Sequence, residues 1–467
     1  MVVGDIATGT ELLVIGAGPG GYVAAIRAGQ LGLDTVLVEA DRLGGTCLVR
    51  GCIPSKALIH AAGLYEEMTA ATEGRFGIRL DSPPRLDFAE TIAWKEGIVD
   101  RLNGGVSALL KRAKVRVVNG HASFTDAKTC SVATSDGSLT VVAEHVVLAT
   151  GSLPVELPFL PFGGKVISST EALALAEVPK RLVVVGAGYI GLELGIAYAK
   201  LGAEVSIVEA QDRILPVYDV KLVEPVRRWL DTHGVALHLG AKARGQRGEG
   251  LEIESASGEQ LILAADRILL TVGRRPNSEG WGRERMALEM DGAFVRVNDH
   301  CATSTTNVWA IGDLTGEPML AHKASAQGEM VAEIIAGARR RFMPVAIPAV
   351  CFTEPEIVSV GLSPDKVLEG VDVVVGQFPF QANGRALSMD AGNDGGFVRV
   401  IARKADHRIL GIQGVGRYIS ELAGEFTMLV EMGAVLEDVA GIIHAHPTLG
   451  EATHEASLKA LGHAIHV

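Results

Sequence analysis

Short apolar runs closed by glycine alternate with longer stretches whose apolar residues recur at helical spacing. The first run, Leu12 to Ile15, enters Gly16-Ala-Gly18-Pro-Gly-Gly21, and an alanine-rich helix is predicted to follow. A second run, Thr35 to Val38, ends on Glu39. Residues 181–210 repeat the unit: an apolar run, Gly186-Ala-Gly188-Tyr-Ile-Gly191, a helical stretch, and a strand ending on Glu209. Glu39 follows Gly16, and Glu209 follows Gly186, by 23 positions.

Strand, glycine turn, helix, strand and acid together form the dinucleotide fingerprint. The first glycine makes the turn, the second admits the pyrophosphate, and the third packs helix on strand. The helix N-terminus attracts phosphate, and the acid accepts from ribose hydroxyls. Two copies predict two dinucleotide sites. The alternative is a duplicated fold with one dead copy, but both copies keep every element.

Both halves also close alike. Val146 to Thr150 stops at Gly151, and Ile268 to Val272 stops at Gly273. A third apolar run, Val308 to Ile311, ends on Gly312-Asp313, which places Asp313 where a strand end meets a ligand. Helices are expected from Leu58 to about Thr72 and from Phe88 to Ala113, with short strands at Val115–Gly120 and Ser131–Ala133. From Ile347 a Pro-rich segment opens a different texture. Strands are expected near Val371–Phe378, Gly396–Ala402 and Ile409–Gly414, then helices near Ile419–Met432 and Leu436–Ile442. This reads as an α+β terminal domain.

Between the first two units lies Gly-Gly45-Thr46-Cys47-Leu-Val-Arg-Gly-Cys52-Ile-Pro-Ser-Lys56. On a regular helix a five-residue step separates Cα atoms by roughly 8–9 Å. A disulfide needs about 4.4–6.8 Å. Either the thiols never pair, or the backbone near Gly51 is irregular. Lys56 supplies a cation that favours a reactive thiolate. The bland reading is two buried cysteines in a glycine-rich loop. Cys130, Cys301 and Cys351 have no thiol neighbour in sequence and read as packing residues.

The tail, His444-Ala-His446-Pro-Thr-Leu-Gly-Glu451-Ala-Thr-His454, offers two readings. Four ligands could hold a metal, but the spacing matches no common zinc pattern, and no metal is expected. Paired instead, Glu451 orients His446 as a general base.

Length suggests two to four domains, since the chain has 467 residues. A net charge of −12 with no basic stripe argues against nucleic acid. Five cysteines are too few and odd in number for a secreted disulfide framework. The first ten residues lack a signal-peptide pattern, and no apolar stretch has membrane-spanning length. A soluble, cytoplasmic protein with no membrane partner is expected.

The chain resembles the FAD-dependent pyridine nucleotide–disulfide oxidoreductases, and within them the dihydrolipoamide dehydrogenases. The resemblance covers nearly the whole length. It rests on both fingerprints, the Cys47–Cys52 motif, Ala-Thr-Gly151, Gly273-Arg-Arg-Pro-Asn277, Ala-Ile-Gly-Asp313, Asn383-Gly-Arg-Ala386 and His446-Pro-Thr-Leu-Gly-Glu451. It implies an α/β fold of two doubly wound Rossmann-like domains plus an α+β C-terminal dimerisation domain. The expected limits are 1–151 for FAD, 152–276 for NAD, 277–346 returning to the FAD domain, and 347–467 for the dimer interface.

By the same resemblance, FAD is held by Gly16, Gly18, Gly21, Glu39, Gly45, Thr46, Lys56, Gly120, Thr150, Gly151, Asp313 and Ala321. NAD is held by Gly186, Gly188, Gly191, Glu193, Glu209 and Gly273. Cys47 and Cys52 form the redox-active disulfide, Cys47 exchanging with substrate and Cys52 facing the flavin. Lys56 pairs with Glu193 near the flavin. His446 and Glu451 come from the second subunit of a homodimer. The implied activity is reoxidation of dihydrolipoyl groups with NAD+. The implied partner is the lipoyl-bearing acyltransferase component of a 2-oxo acid dehydrogenase complex. No lipoyl-bearing domain is expected, since little chain precedes Leu12.

Two departures stand out. Val49-Arg50 replaces a frequent Asn-Val and adds a charge near the thiols, and Gly450 replaces a frequent serine, loosening the His–Glu turn. Relatives that prefer NADPH carry basic residues after the second strand. Here Glu209-Ala-Gln-Asp would repel a 2′-phosphate. Mercuric reductases end in a cysteine pair, which this tail lacks, and flavin transhydrogenases lack the active pair that this chain has. A flavin-binding assembly subunit without catalysis is the reading from another class, and the complete thiol and base set argues against it.

Overall fold

The computed structural model describes residues 8–367 and 370–467. The apolar runs found in sequence become the strands of two sheets. In the first, Thr8–Ile15 pairs in parallel with Thr35–Glu39 on one side and Gly137–Leu148 on the other. Arg116–Asn119 extends the sheet beyond Thr35–Glu39. Val308–Ala310 joins it against Gly137–Leu148, 160 residues later in the register Val308 to Val146 and beyond, so the third glycine-closed run lies beside the first two. Thr129–Thr134 and His121–Phe124 add an antiparallel flap. The central strands are near-continuous runs of Val, Leu and Ile because both faces are covered, one by helices 19–30, 88–112 and 321–335 and the other by the antiparallel flap and residues 281–314.

The second sheet is wholly parallel, in the order Ala236–Leu239, Glu204–Glu209, Arg181–Val185, Arg267–Leu270, Val166–Ile167. Its first three strands have the same neighbour relations as their counterparts in the first sheet, which is the duplication seen in sequence. Two short strands, Ser152–Pro154 and Arg274–Pro276, pair antiparallel where the chain passes between the two sheets.

The terminal region is a five-stranded antiparallel sheet, ordered Ala349–Cys351, Glu356–Gly361, Ile409–Gly416, Phe397–Arg403, Val373–Pro379. Helix Glu451–Ala460 packs across it, placing buried Ala452 and Ala456 in a core with Val398, Val400 and Phe426. Among the described residues, no helix is long and apolar enough to cross a membrane.

Several elements differ from expectation. The helix expected from Leu58 starts six residues earlier, at Cys52. Pro54 lies in its first turn, where the missing N–H has no intrahelical partner to lose. The helix expected at Ile419–Met432 is a 3₁₀ turn, Ile419–Leu422, followed by Ala423–Glu431. Helices Val220–Thr232 and Ala321–Ile335 and the three-stranded sheet Lys242–Arg247, Gly250–Glu254, Gln260–Ala264 were not anticipated.

Candidate active site

Each fingerprint builds a helix N-terminus that opens on a cleft. Gly16 and Gly186 adopt φ of +94° and +102°, and a Cβ there would meet Ala149 O at 2.4 Å and Thr271 O at 2.6 Å respectively. Only glycine makes this turn. Helices Pro19–Gln30 and Tyr189–Lys200 then begin without a side-chain cap. Their first amides stay available to an anion. A Cβ on Gly18 or Gly188 would meet nothing within 4 Å, so the space in front of each turn is open. Gly21 and Gly191 instead press against the turn itself, where a Cβ would meet Gly16 O at 1.7 Å and Gly186 O at 2.1 Å.

The two acids are fastened identically. Glu39 accepts from Ala17 N at 2.6 Å and Asp41 N at 2.9 Å. Glu209 accepts from Ala187 N and Gln211 N, both at 2.8 Å. Burial pushes the Glu39 carboxyl up, against the pull of its backbone amides. Each oxygen keeps a lone pair for a ribose hydroxyl.

A cavity of about 550 Å³ runs along the first site. Of the residues expected there, Gly16, Gly18, Glu39, Gly45, Thr46, Cys47, Cys52, Lys56, Gly120, Thr150, Gly151, Glu193, Asp313 and Ala321 line it. Gly21 lies behind the turn, and Gly186, Gly188, Gly191, Glu209 and Gly273 lie outside this cavity, around the second turn and strand end.

The thiols sit at a helix break. A six-residue helix, Gly45–Arg50, stops at Gly51, whose φ of −142° and ψ of −113° are not helical, and Cys52 starts the next helix. Cys47 and Cys52 are free thiols in this structure. The break brings the two thiols together. The neighbouring Cys47 thiol is the main reason the Cys52 thiol falls to about 7; Lys56, one turn along the same helix, adds to it against burial. The closeness of Cys52, then burial, pushes the Cys47 thiol well above its usual range. Lys56 Nζ donates to Glu193 Oε2 at 2.7 Å and lies 4.5 Å from the centre of the Phe352 ring. Glu193 Oε1 accepts from Phe352 N at 3.0 Å.

Several cleft groups were not anticipated. Arg274 donates to Ser152 Oγ at 2.8 Å and Ser152 O at 2.7 Å, and Ser152 Oγ donates to Asp313 Oδ2 at 2.5 Å. Gln327, buried, accepts from Gly312 N at 2.8 Å and holds the Asp313 turn. Tyr189, the first helical residue after Gly188, also lines the cavity, and burial pushes its phenol up to about 12. An aromatic residue in a turn of small ones was the available signal for Tyr189. Arg50 lines the cleft, but its guanidinium is ion-paired with Asp41.

His446 Nδ1 lies 2.6 Å from Glu451 Oε1, and Thr448 N donates to Glu451 Oε2 at 2.7 Å. Burial raises the Glu451 carboxyl, but the bonds from His446 and Thr448 outweigh it and leave it below the usual range. The turn at Gly450 is helical, with φ of −60° and ψ of −27°, and Glu451 opens the last helix. His446 has 81% of its side chain exposed and does not line the thiol cleft of its own chain. The nearby His444 pairs with Glu425 at 3.4 Å, and His454 Nδ1 meets Val439 O at 3.3 Å.

An uncapped helix N-terminus, open space before the second glycine, a fastened acid and a dithiol in one cleft fit a flavin dinucleotide. The second turn repeats the first three features and fits another dinucleotide. Comparison with known proteins agrees. Residues 10–328 match the family model described as pyridine nucleotide–disulphide oxidoreductase, and residues 347–457 match that family's dimerisation domain. The chain is 58% identical over 461 residues to a dihydrolipoyl dehydrogenase of Pseudomonas aeruginosa, covering 98% of this chain and 99% of the relative. It is 45% identical to a dihydrolipoyl dehydrogenase of Geobacillus stearothermophilus, covering 100% and 99%. Among solved structures, LpdA from Mycobacterium tuberculosis superposes with a TM-score of 0.88 at 26% identity, covering 96% and 99%. The chain belongs to the pyridine nucleotide–disulphide oxidoreductase family.

Proposed function

We propose that the chain is a dihydrolipoyl dehydrogenase, reoxidising protein-bound dihydrolipoyl groups with NAD+ through a Cys47–Cys52 disulfide and FAD. One observation carries the reading. Cys47 and Cys52 meet at a helix break, and Lys56, one turn from Cys52 and paired with Glu193, stands with them in a cleft shaped for a dinucleotide. The near-full-length relatives named above support the choice of substrate.

The Pro19–Gln30 N-terminus and Glu39 would hold the adenosine half of FAD, and Asp313 its ribityl hydroxyls. When bound, FAD accepts the electron pair of the dithiol and delivers it as hydride to NAD+. Glu209, fastened at the second turn, would hold the NAD ribose and disfavour a 2′-phosphate.

Thiol exchange belongs to the protein's own groups. The partner subunit's His446, oriented by the partner subunit's Glu451, removes a proton from one dihydrolipoyl thiol. That thiolate attacks the Cys47 sulfur, and the Cys47–Cys52 bond breaks, leaving Cys52 as the thiolate. The second dihydrolipoyl thiol attacks the lipoyl sulfur bound to Cys47 and passes its proton to the departing Cys47 sulfur, closing the lipoyl disulfide and releasing Cys47 as a thiol. Lys56 stabilises the Cys52 thiolate, and Glu193 holds Lys56 in place.

The dimerisation-domain match accords with a homodimer, and His446, outside its own thiol cleft, accords with a base supplied across it. The lipoyl groups are those of an acyltransferase component of a 2-oxo acid dehydrogenase complex in the cytoplasm. The deciding assay compares NAD+ reduction by dihydrolipoamide with NADPH oxidation by glutathione disulfide. The first reaction should dominate; dominance of the second would overturn the assignment.

A further inference from the structure

Two charged rungs join the helix of the thiols, Cys52–Ala71, to helix Tyr189–Lys200. The first is Lys56 on Glu193, with Glu193 also accepting from Phe352 N. The second lies farther along both helices. Lys200 Nζ reaches Glu66 Oε2 at 2.9 Å and Glu354 Oε2 at 2.6 Å. Glu193 and Lys200 are seven residues apart, almost two turns, so they share one face. Phe352 and Glu354 belong to one loop, between strands Ala349–Cys351 and Glu356–Gly361. The same three segments therefore meet twice, 10 residues apart on the thiol helix.

Lys200 has 6% of its side chain exposed. Burial disfavours its charge, but Glu354 and Glu66 outweigh burial and keep it an ammonium. Its Nζ also lies 5.4 Å from the Trp229 ring centre, and His233 Nε2 is 3.5 Å from Glu66 Oε1. Buried ion sets are weak sources of stability, since apolar replacements are often neutral or better. What such a set does supply is a defined geometry.

We infer that Lys200 is a positioning residue: by holding Glu66 and Glu354 it fixes the crossing of the two helices and so keeps Lys56 on Glu193 beside Cys52. The inference rests on the disulfide-oxidoreductase reading above. Without Lys200, two partly buried carboxylates lose the cation between them and repel, the helices part, and Lys56 moves from the thiol it serves.

The test uses the FAD-loaded protein reduced by two electrons, in which a Cys52 thiolate beside oxidised flavin gives a long-wavelength absorbance band. The band is titrated with pH. Cys52 is faced by Cys47, Lys56, Glu193 and Tyr189, so its midpoint reports their arrangement. In Lys200→Met and Glu354→Gln the midpoint should rise by about 1 pH unit, the effect expected when a cation leaves an anion's side. Lys200→Arg should stay near wild type. Glu67→Gln, which breaks the surface pair with Arg417 on the same thiol helix, should lower Tm without moving the midpoint. If Lys200→Met does not fold, Glu354→Gln carries the test. A wild-type midpoint in Glu354→Gln, or an equal shift in Glu67→Gln, would overturn the inference. A wild-type protein with no such band would overturn the functional reading, and the positioning role with it.

Discussion

The two thiols differ in direction: Cys52 is pulled down and Cys47 is pushed up. The neighbouring Cys47 thiol and the Lys56 cation both favour a Cys52 thiolate. Cys47→Ser should keep a Cys52 thiolate and show the long-wavelength band with oxidised flavin. Cys52→Ser should lack the band, and the reverse pattern would exchange the two roles. In the wild-type reduced protein the band should hold above the Cys52 midpoint and fade as pH falls through about 7, because protonation removes the donor electrons. A band unchanged down to pH 5 would contradict a Cys52 thiol lowered only to about 7. At this scale much was legible. The cysteine motif and both acids could be read because each is local in sequence. Arg50 was not. Its charge stands near the thiols in sequence, yet its guanidinium pairs with Asp41 on the nucleotide side. The Ser152–Arg274–Asp313 chain was equally hidden, since its members come from three distant segments.

The cleft depends on helices packed unusually close. Helix Ala321–Ile335 lies against Pro19–Gln30, and a Cβ on Gly328 would meet Gly20 O at 2.3 Å. In an exposed helix, Gly→Ala is favourable by about 1 kcal/mol. Forcing a methyl into a packed interface costs about 1–3 kcal/mol. At 2.3 Å from a backbone oxygen the clash should win. Gly328→Ala should therefore lower Tm and the flavin-to-protein ratio together, and an unchanged or higher Tm would contradict the packing. Elements with one strongly apolar face were legible: the fingerprint strands, helix Phe88–Arg112, and the terminal strands within a few residues. Strand Lys242–Arg247 was not, because its sequence, Lys-Ala-Arg-Gly-Gln-Arg, has no apolar alternation to read. Helix Glu451–Ala460 was masked by its polar residues. Its Thr453 and Ser457 are fully buried, and its last apolar contacts come from the terminal sheet.

At the scale of the molecule, duplication supplies two dinucleotide turns, and the terminal domain carries a His446–Glu451 pair that lies outside its own thiol cleft. That division predicts complementation. Cys47→Ser and His446→Gln homodimers should each be nearly inactive with dihydrolipoamide, as loss of a positioned base costs about 10²–10⁴-fold. Mixed heterodimers should recover part of the activity, since one intact dithiol then faces one intact histidine. Heterodimers that form but stay inactive would place both groups in one chain's site. The central claim is that a single dithiol carries the electron pair from dihydrolipoyl thiols toward NAD+. Anaerobic mixing of the FAD-loaded protein with one equivalent of dihydrolipoamide, followed by NAD+, tests it most directly. The account predicts immediate growth of the long-wavelength band, its loss on adding NAD+, and one NADH per flavin. NADH formed by the Cys47→Ser, Cys52→Ser double variant at the wild-type rate would contradict it.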